Sequence, residues 1–142
     1  MTNIHATCVT LNNKGILLLG KSGSGKSDLA LRLIEQTGAT LVSDDRTELC
    51  IKNNKITAYY IDELKGMLEV RGVGIIKKKY QTETVVLLAV ELVDELKKIE
   101  RLPKKEYWEF NKIKIQKIKI YPFESSAPFK VKAACDEIGE AS

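Results

Sequence analysis

Ile16-Leu17-Leu18-Leu19 runs without a polar break into Gly20-Lys21-Ser22-Gly23-Ser24-Gly25-Lys26-Ser27. A short apolar run ended by turn residues reads as a strand buried on both faces. From Lys26 to Thr37 the pattern changes period: Leu29, Leu33 and Ile34 fall on one helical stripe, and Gly38 stands where a helix closes. Strand, glycine-rich loop and helix in that order commit the chain to an α/β fold, a mixed sheet with flanking helices.

The loop fits G-x-x-x-x-G-K-[ST] at every position, in the strand-to-helix context that the motif requires. Gly20, Gly23 and Gly25 let successive backbone N–H groups turn inward towards phosphate oxygens. The N-terminus of the following helix adds partial positive charge. Lys26 is placed to reach β- and γ-phosphates, and the Ser27 hydroxyl to ligate Mg²⁺. Residues 20–27, with Lys21, Ser22 and Ser24 between the glycines, are therefore the expected nucleotide-binding loop.

A nucleotide site also needs carboxylates that hold metal and orient or deprotonate the acceptor. A strand at Thr40 to Ser43 delivers Asp44-Asp45 to the end of the sheet where such folds place ligands. Neighbouring strand residues point opposite ways, so both acids serve only if the chain turns there. One would support Mg²⁺ and the other act as base, with the order left open. In Glu69-Val70-Arg71-Gly72-Val73-Gly74, glycines behind a Glu and an Arg suggest backbone passing close to a ligand. Glu69 is a candidate metal ligand and Arg71 a candidate phosphate partner; a bent strand with a surface ion pair is the plainer reading. His5, the only histidine, precedes the first strand and by position alone reads as incidental.

The remaining chain supplies strands. Cys8 to Leu11 and Ile16 to Leu19 flank the turn Asn12 to Gly15, and Glu48 to Lys52 and Lys55 to Tyr60 flank Asn53-Asn54, a two-residue hairpin signal. Thr84 to Val90 reads as a strand and Asp94 to Glu100 as a short helix before Pro103. Lys112 to Ile120 alternates apolar and polar, but the parity flips at Gln116-Lys117; a β-bulge there would keep one apolar face, with the lysines on a solvated or edge face. The 142 residues show no repeat or linker and suit one domain, 1–142. No apolar run is long enough for a membrane span, and the start lacks a leader pattern. Cys8, Cys50 and Cys135 form no close pair and read as reduced thiols, so a cytoplasmic location is expected. The net charge of +4 gathers among lysines that lack interleaved arginine, which argues against nucleic acid as a partner.

Taken in order and spacing, His5-Ala6, Gly20 to Ser27, Leu41-Val42-Ser43-Asp44-Asp45-Arg46 and Leu68 to Ile75 resemble the HPr kinase/phosphorylase family, from about Ile4 to Lys132. The likeness is closest to a short form made of the catalytic domain alone. It implies a fold like that of phosphoenolpyruvate carboxykinase, and an ATP- and Mg²⁺-dependent kinase that phosphorylates a serine of HPr, the carrier protein of the sugar phosphotransferase system. By motif match His5, Lys26 and one of Asp44 or Asp45 take catalytic positions, and Ser27 and Glu69 take magnesium positions. Arg101, in Glu100-Arg101-Leu102-Pro103, falls where the family has a functional arginine. The resemblance also implies a homo-oligomer, a hexamer in many members. The arginine-rich C-terminal segment tied to phosphorolysis in long members is here Phe123 to Lys130, so forward transfer is expected to outweigh the reverse reaction. The alternatives are a P-loop kinase or NTPase acting on a small molecule, and a nucleotide-sensing module without transfer chemistry.

Overall fold

A computed structural model describes residues 1–139; the last three residues of the expected 1–142 domain lie outside the described residues. The elements in order are β1 (Thr2–Ile4), β2 (Ala6–Leu11), β3 (Lys14–Leu19), α1 (Lys26–Thr37), β4 (Thr40–Ser43), β5 (Thr47–Lys52), β6 (Lys55–Tyr59), β7 (Met67–Val70), β8 (Gly74–Lys77), β9 (Glu83–Leu92), β10 (Glu106–Phe110), β11 (Ile113–Ile120) and α2 (Ala127–Asp136). The main sheet runs β1-β5-β6-β9-β3-β2-β4, and β7-β8 is a separate hairpin. Strand β9 is the axis: β3 lies parallel along one edge, while the other edge is shared by β6, antiparallel at its start, and β11, parallel at its end.

Alternation along these strands makes two cores, one on each face. Val9, Leu11, Ile16, Leu18, Leu88 and Val90 face the helices and pack on Leu29 and Leu33 of α1 and Val131 of α2. Cys8, Leu17, Val42, Leu49, Ile56 and Ala89 fill the opposite face. Among the described residues no helix covers that second core, because the sheet curls and residues of β5 and β6 meet residues of β2, β3 and β4 there.

The bulge expected in β11 is absent, since its register with both β10 and β9 is continuous. The parity flip has another cause. Ile115 packs into the second core, whereas Ile118 and Ile120 pack into the helix-side core, so the strand changes its buried face where it passes from β10 to α2. The observed irregularities lie in β9, where Gly15 opposes Val86 and Ile16 opposes Leu88, and in β4, where Cys8 opposes Ser43 and Val9 opposes Leu41. The β9 bulge puts Val86 in one core and Leu88 in the other. It also brings backbone against Gly15: a Cβ there would stand 2.6 Å from the Val85 carbonyl oxygen. Of the lysines, Lys112 and Lys114 stand exposed as expected, whereas Lys117 pairs with Glu91 (3.1 Å) and Glu106 (3.4 Å), and Lys119 with Glu106 (3.8 Å). Those partners raise the Lys117 pKa, the Glu91 hydrogen bond contributing most.

Local chemistry explains the connections. Asn12-Asn13 and Asn53-Asn54 hold positive φ, as two-residue hairpins require, and the first turn is shorter than expected because Lys14 and Gly15 already belong to β3. The expected helix over 94–100 is only a 3₁₀ turn at Leu96–Lys98. Helix α1 follows the expected bounds, with Gly38 at φ 81 sending its N–H to the Leu33 carbonyl. Lys14 Nζ donates to the carbonyls of Cys135 (3.2 Å) and Ile138 (2.6 Å), tying the end of α2 to β3.

Candidate active site

Strands β3 and β4 and the β7-β8 hairpin deliver the site residues to one cleft of about 570 Å³. Its lining includes Ser22, Gly23, Gly25, Lys26, Ser27, Asp45, Glu69, Arg71 and Phe123. The loop from Gly20 enters α1 through Gly25, whose φ of 101 suits glycine. No side chain caps that helix start, which leaves its first-turn N–H groups for a ligand. Ser24 Oγ, inside the loop, is the one buried side-chain polar atom without a partner among the described residues. A loop that holds an unpartnered hydroxyl and uncapped amides fits an anion rich in acceptor oxygens.

Lys26 is buried, and its ammonium donates to the carbonyls of Gly20 (2.7 Å) and Lys21 (3.0 Å). Burial lowers its pKa, while the nearby carboxylates of Asp45 and Asp44 pull the other way. The Ser27 hydroxyl donates to Asp44 Oδ1 at 2.7 Å. The same oxygen accepts from Thr7 Oγ1 (2.9 Å), and Oδ2 accepts from the backbone N–H of Glu69 (3.1 Å). Asp44 thus joins β2, α1 and β7 from the end of β4.

Asp45 behaves differently. Its φ of 67 breaks the strand, so the two neighbouring acids do not point to opposite faces of a continuing β4. Its N–H donates to Thr7 Oγ1 (3.0 Å), and its carboxylate reaches out to His5 Nε2 at 2.8 Å. The side chain of Asp45 is 63% exposed, whereas Asp44 is 6% exposed. The structure therefore brings together His5, Lys26, Ser27, Asp44, Asp45 and Glu69, six residues drawn from four separate stretches of sequence.

Gly72 and Gly74 meet no protein atom within 4 Å of a notional Cβ, and both hold positive φ, 86 and 120, at the turn between β7 and β8. Arg101 stands exposed in the segment after the 3₁₀ turn, away from the cleft lining; Arg71 is the arginine that lines the cleft. Sequence reasoning missed Thr7 and Phe123. Thr7 carried a faint signal, being a polar residue in phase with Val9 and Leu11 on a buried strand.

For Mg²⁺, the donor set around the loop is all hard oxygen: the Ser27 hydroxyl and the carboxylates of Asp44, Asp45 and Glu69. Among the described residues no group of three or more His, Cys, Asp and Glu side chains is assembled to hold an ion alone.

Comparison with known proteins assigns the chain to a family. The model of the HPr Serine kinase C-terminal domain matches residues 1–127. The HPr kinase/phosphorylase of Peptoclostridium acidaminophilum is 37% identical over 110 residues, 77% of this chain and 33% of the relative. That of Thermoanaerobacter sp. (strain X514) is 35% identical over 128 residues, 82% of this chain and 42% of the relative. The chain thus spans about a third to two fifths of the length of these relatives. The solved structure of the Hpr(Ser) kinase/phosphatase from Coxiella burnetii matches with a TM-score of 0.83 at 25% identity, over 96% of this chain and 89% of that one. With its loop, its paired acids and its curled sheet, this chain belongs to the HPr serine kinase C-terminal domain family.

Proposed function

We propose that this chain is an ATP- and Mg²⁺-dependent serine kinase acting on an HPr-like carrier protein, with residues 1–142 as one catalytic unit of phosphoenolpyruvate carboxykinase-like fold. The observation that carries the reading is Asp44. It binds the loop serine while its neighbour Asp45 stands in the open with His5, so the acid tied to the phosphate loop and a carboxylate open to a protein substrate are consecutive residues.

The loop amides and the N-terminus of α1 receive the phosphate chain, and Lys26 exchanges its two carbonyl partners for phosphate oxygens. Ser27, one acid of the pair and Glu69 would hold Mg²⁺, which would supply positive charge to neutralise the transferring phosphoryl group. One acid of the pair supports that shell; the other accepts the proton of the incoming serine hydroxyl. His5 orients Asp45 through the 2.8 Å contact. Transfer needs little more from the protein than this positioning and charge stabilisation.

Forward transfer outweighs phosphorolysis in this reading. The reverse reaction sets inorganic phosphate beside a phosphoserine, and two anions need extra cationic donors. Lys130 and Lys132 are the cations in the relevant segment, and each is already paired, Lys130 with Glu124 (2.5 Å) and Lys132 with Asp136 (2.6 Å). We also propose a cytoplasmic homo-oligomer, a hexamer by family likeness, to be checked by light scattering.

The test incubates the chain with Mg-ATP and purified HPr and locates phosphate by mass spectrometry. A single phosphoserine supports the kinase. ATP hydrolysis without phospho-HPr favours a small-molecule P-loop enzyme, and binding without turnover favours a sensing module. With phosphoserine-HPr, phosphate and no ATP, pyrophosphate release at the forward rate refutes the directional bias.

A further inference from the structure

Between β11 and α2, the segment Tyr121-Pro122-Phe123-Glu124 presents an aromatic ring to the cleft. Phe123 is 59% exposed and is the one aromatic residue among those lining that cleft. Its backbone is nevertheless clamped. Arg32, from α1, donates through Nη2 to the Pro122 carbonyl and through Nη1 to the Glu124 carbonyl (3.3 Å). Asp28 holds the same guanidinium, accepting from Nε at 3.0 Å. Tyr121 meets the ring edge-on, with centroids 5.8 Å apart. On the loop side, the ring carbons stand 3.3 Å from where a Cβ on Gly25 would lie, so Phe123 rests against the last glycine of the loop.

An exposed ring on a fixed backbone, beside a phosphate loop, suits a flat apolar ligand group attached to the phosphates. We propose that Phe123 is the stacking platform for the nucleobase of the bound nucleoside triphosphate. The inference rests on the phosphate-loop reading above and extends it to the other end of the ligand. The polar groups flanking the ring are already partnered: the two carbonyls with Arg32, and the Glu124 carboxylate with Lys130. Recognition is therefore by stacking rather than by hydrogen bonds to a base edge. Purines bind better than pyrimidines, because they offer more area, and adenine and guanine are nearly equivalent.

Isothermal calorimetry with Mg-ATP, Mg-GTP, Mg-CTP and Mg-pyrophosphate tests this on the parent, Phe123→Ala and Phe123→Trp. In Phe123→Ala, ATP and GTP weaken by about 5- to 100-fold, as expected for loss of a base-stacking contact. Pyrophosphate stays within about twofold, because it has no base to stack. Phe123→Trp retains ATP, and CTP is the weakest nucleotide for the parent. Unchanged ATP binding in Phe123→Ala, or an equal loss for ATP and pyrophosphate, overturns the platform and leaves the loop reading standing. If the parent binds neither ATP nor pyrophosphate, both readings fall.

Discussion

Asparagine at Asp44 and at Asp45 is isosteric with aspartate, yet the two substitutions should have unequal effects. Asp44 is buried and accepts from Thr7 and Ser27 on one oxygen and from the Glu69 N–H on the other. An amide at this position keeps one acceptor and turns an NH₂ towards a donor whichever way it flips. At least one buried donor is then unsatisfied, at about 1–3 kcal/mol, on top of weaker bonds to a neutral acceptor. Asp45 has an exposed carboxylate with His5 as its contact, and such a pair contributes about 0–1 kcal/mol. Asp44→Asn should therefore lower stability by about 2 kcal/mol and Asp45→Asn by well under 1 kcal/mol. In urea the first corresponds to a midpoint about 1 M lower. Trp108, the sole tryptophan, packs against the second core and reports unfolding by its fluorescence. The kinase assay adds the functional arm. Both variants lose turnover, the metal-side variant being rescued in part by raised Mg²⁺ and the base-side variant not. Equal urea midpoints for the two variants refute the burial argument. Parental turnover in both reduces the pair to a surface loop.

Lys26→Ala should abolish transfer and weaken pyrophosphate binding measured by calorimetry, since it removes the cation aimed into the loop; near-parental turnover would discard the assigned site. Gly15→Ala should cost about 1–3 kcal/mol, because its Cβ would overlap the backbone of the β9 bulge, whereas Gly38→Ala, in open space at φ 81, should cost about 1 kcal/mol. A Gly15→Ala urea midpoint equal to that of the parent would show that the bulge yields. Burial raises the thiol pKa of Cys8 and of Cys135, so at pH 8 both stay protonated and should resist a disulfide reagent until urea unfolds the chain. Rapid labelling of Cys8 in the folded protein would contradict its place in the second core.

Sequence exposed the parts of this fold whose signals are local. Helix α1 could be bounded at both ends because its loop, apolar stripe and closing glycine agree. The Asn53-Asn54 turn fixed its hairpin for a similar reason: positive φ at two successive residues is a strong local constraint. Features set by tertiary context were hidden. A parity flip can mean a bulge or a strand that exchanges one core for another, and only the presence of α2 over Ile118 and Ile120 decides for the second. Helix α2 was also not anticipated; its Pro128 sits in the first turn, where the ring costs no hydrogen bond. Strand β10 was also missed, since what makes Glu106–Phe110 a strand is its pairing with β11.

For the site, sequence could name the residues but not the arrangement that joins them. Asp44 and Asp45 are adjacent, and on a regular strand they would face opposite sides of the sheet. Two departures from regularity bring them to one end of the cleft: the β4 register shift before them and the positive φ at Asp45. Both are held by Thr7, whose hydroxyl donates to the Asp44 carboxylate and accepts from the Asp45 N–H. A single hydroxyl can do this because it is donor and acceptor at once, a capacity that valine, its apolar isostere, lacks. The adjacent acids therefore depend on a residue 37 positions upstream of Asp44 that belongs to none of the motifs. Valine at Thr7 would preserve the strand and the core volume while releasing Asp45 from its turn. The kinase reading thus requires Thr7→Val to lose turnover although it removes no group from the reacting centre, and serine at the same position to restore it.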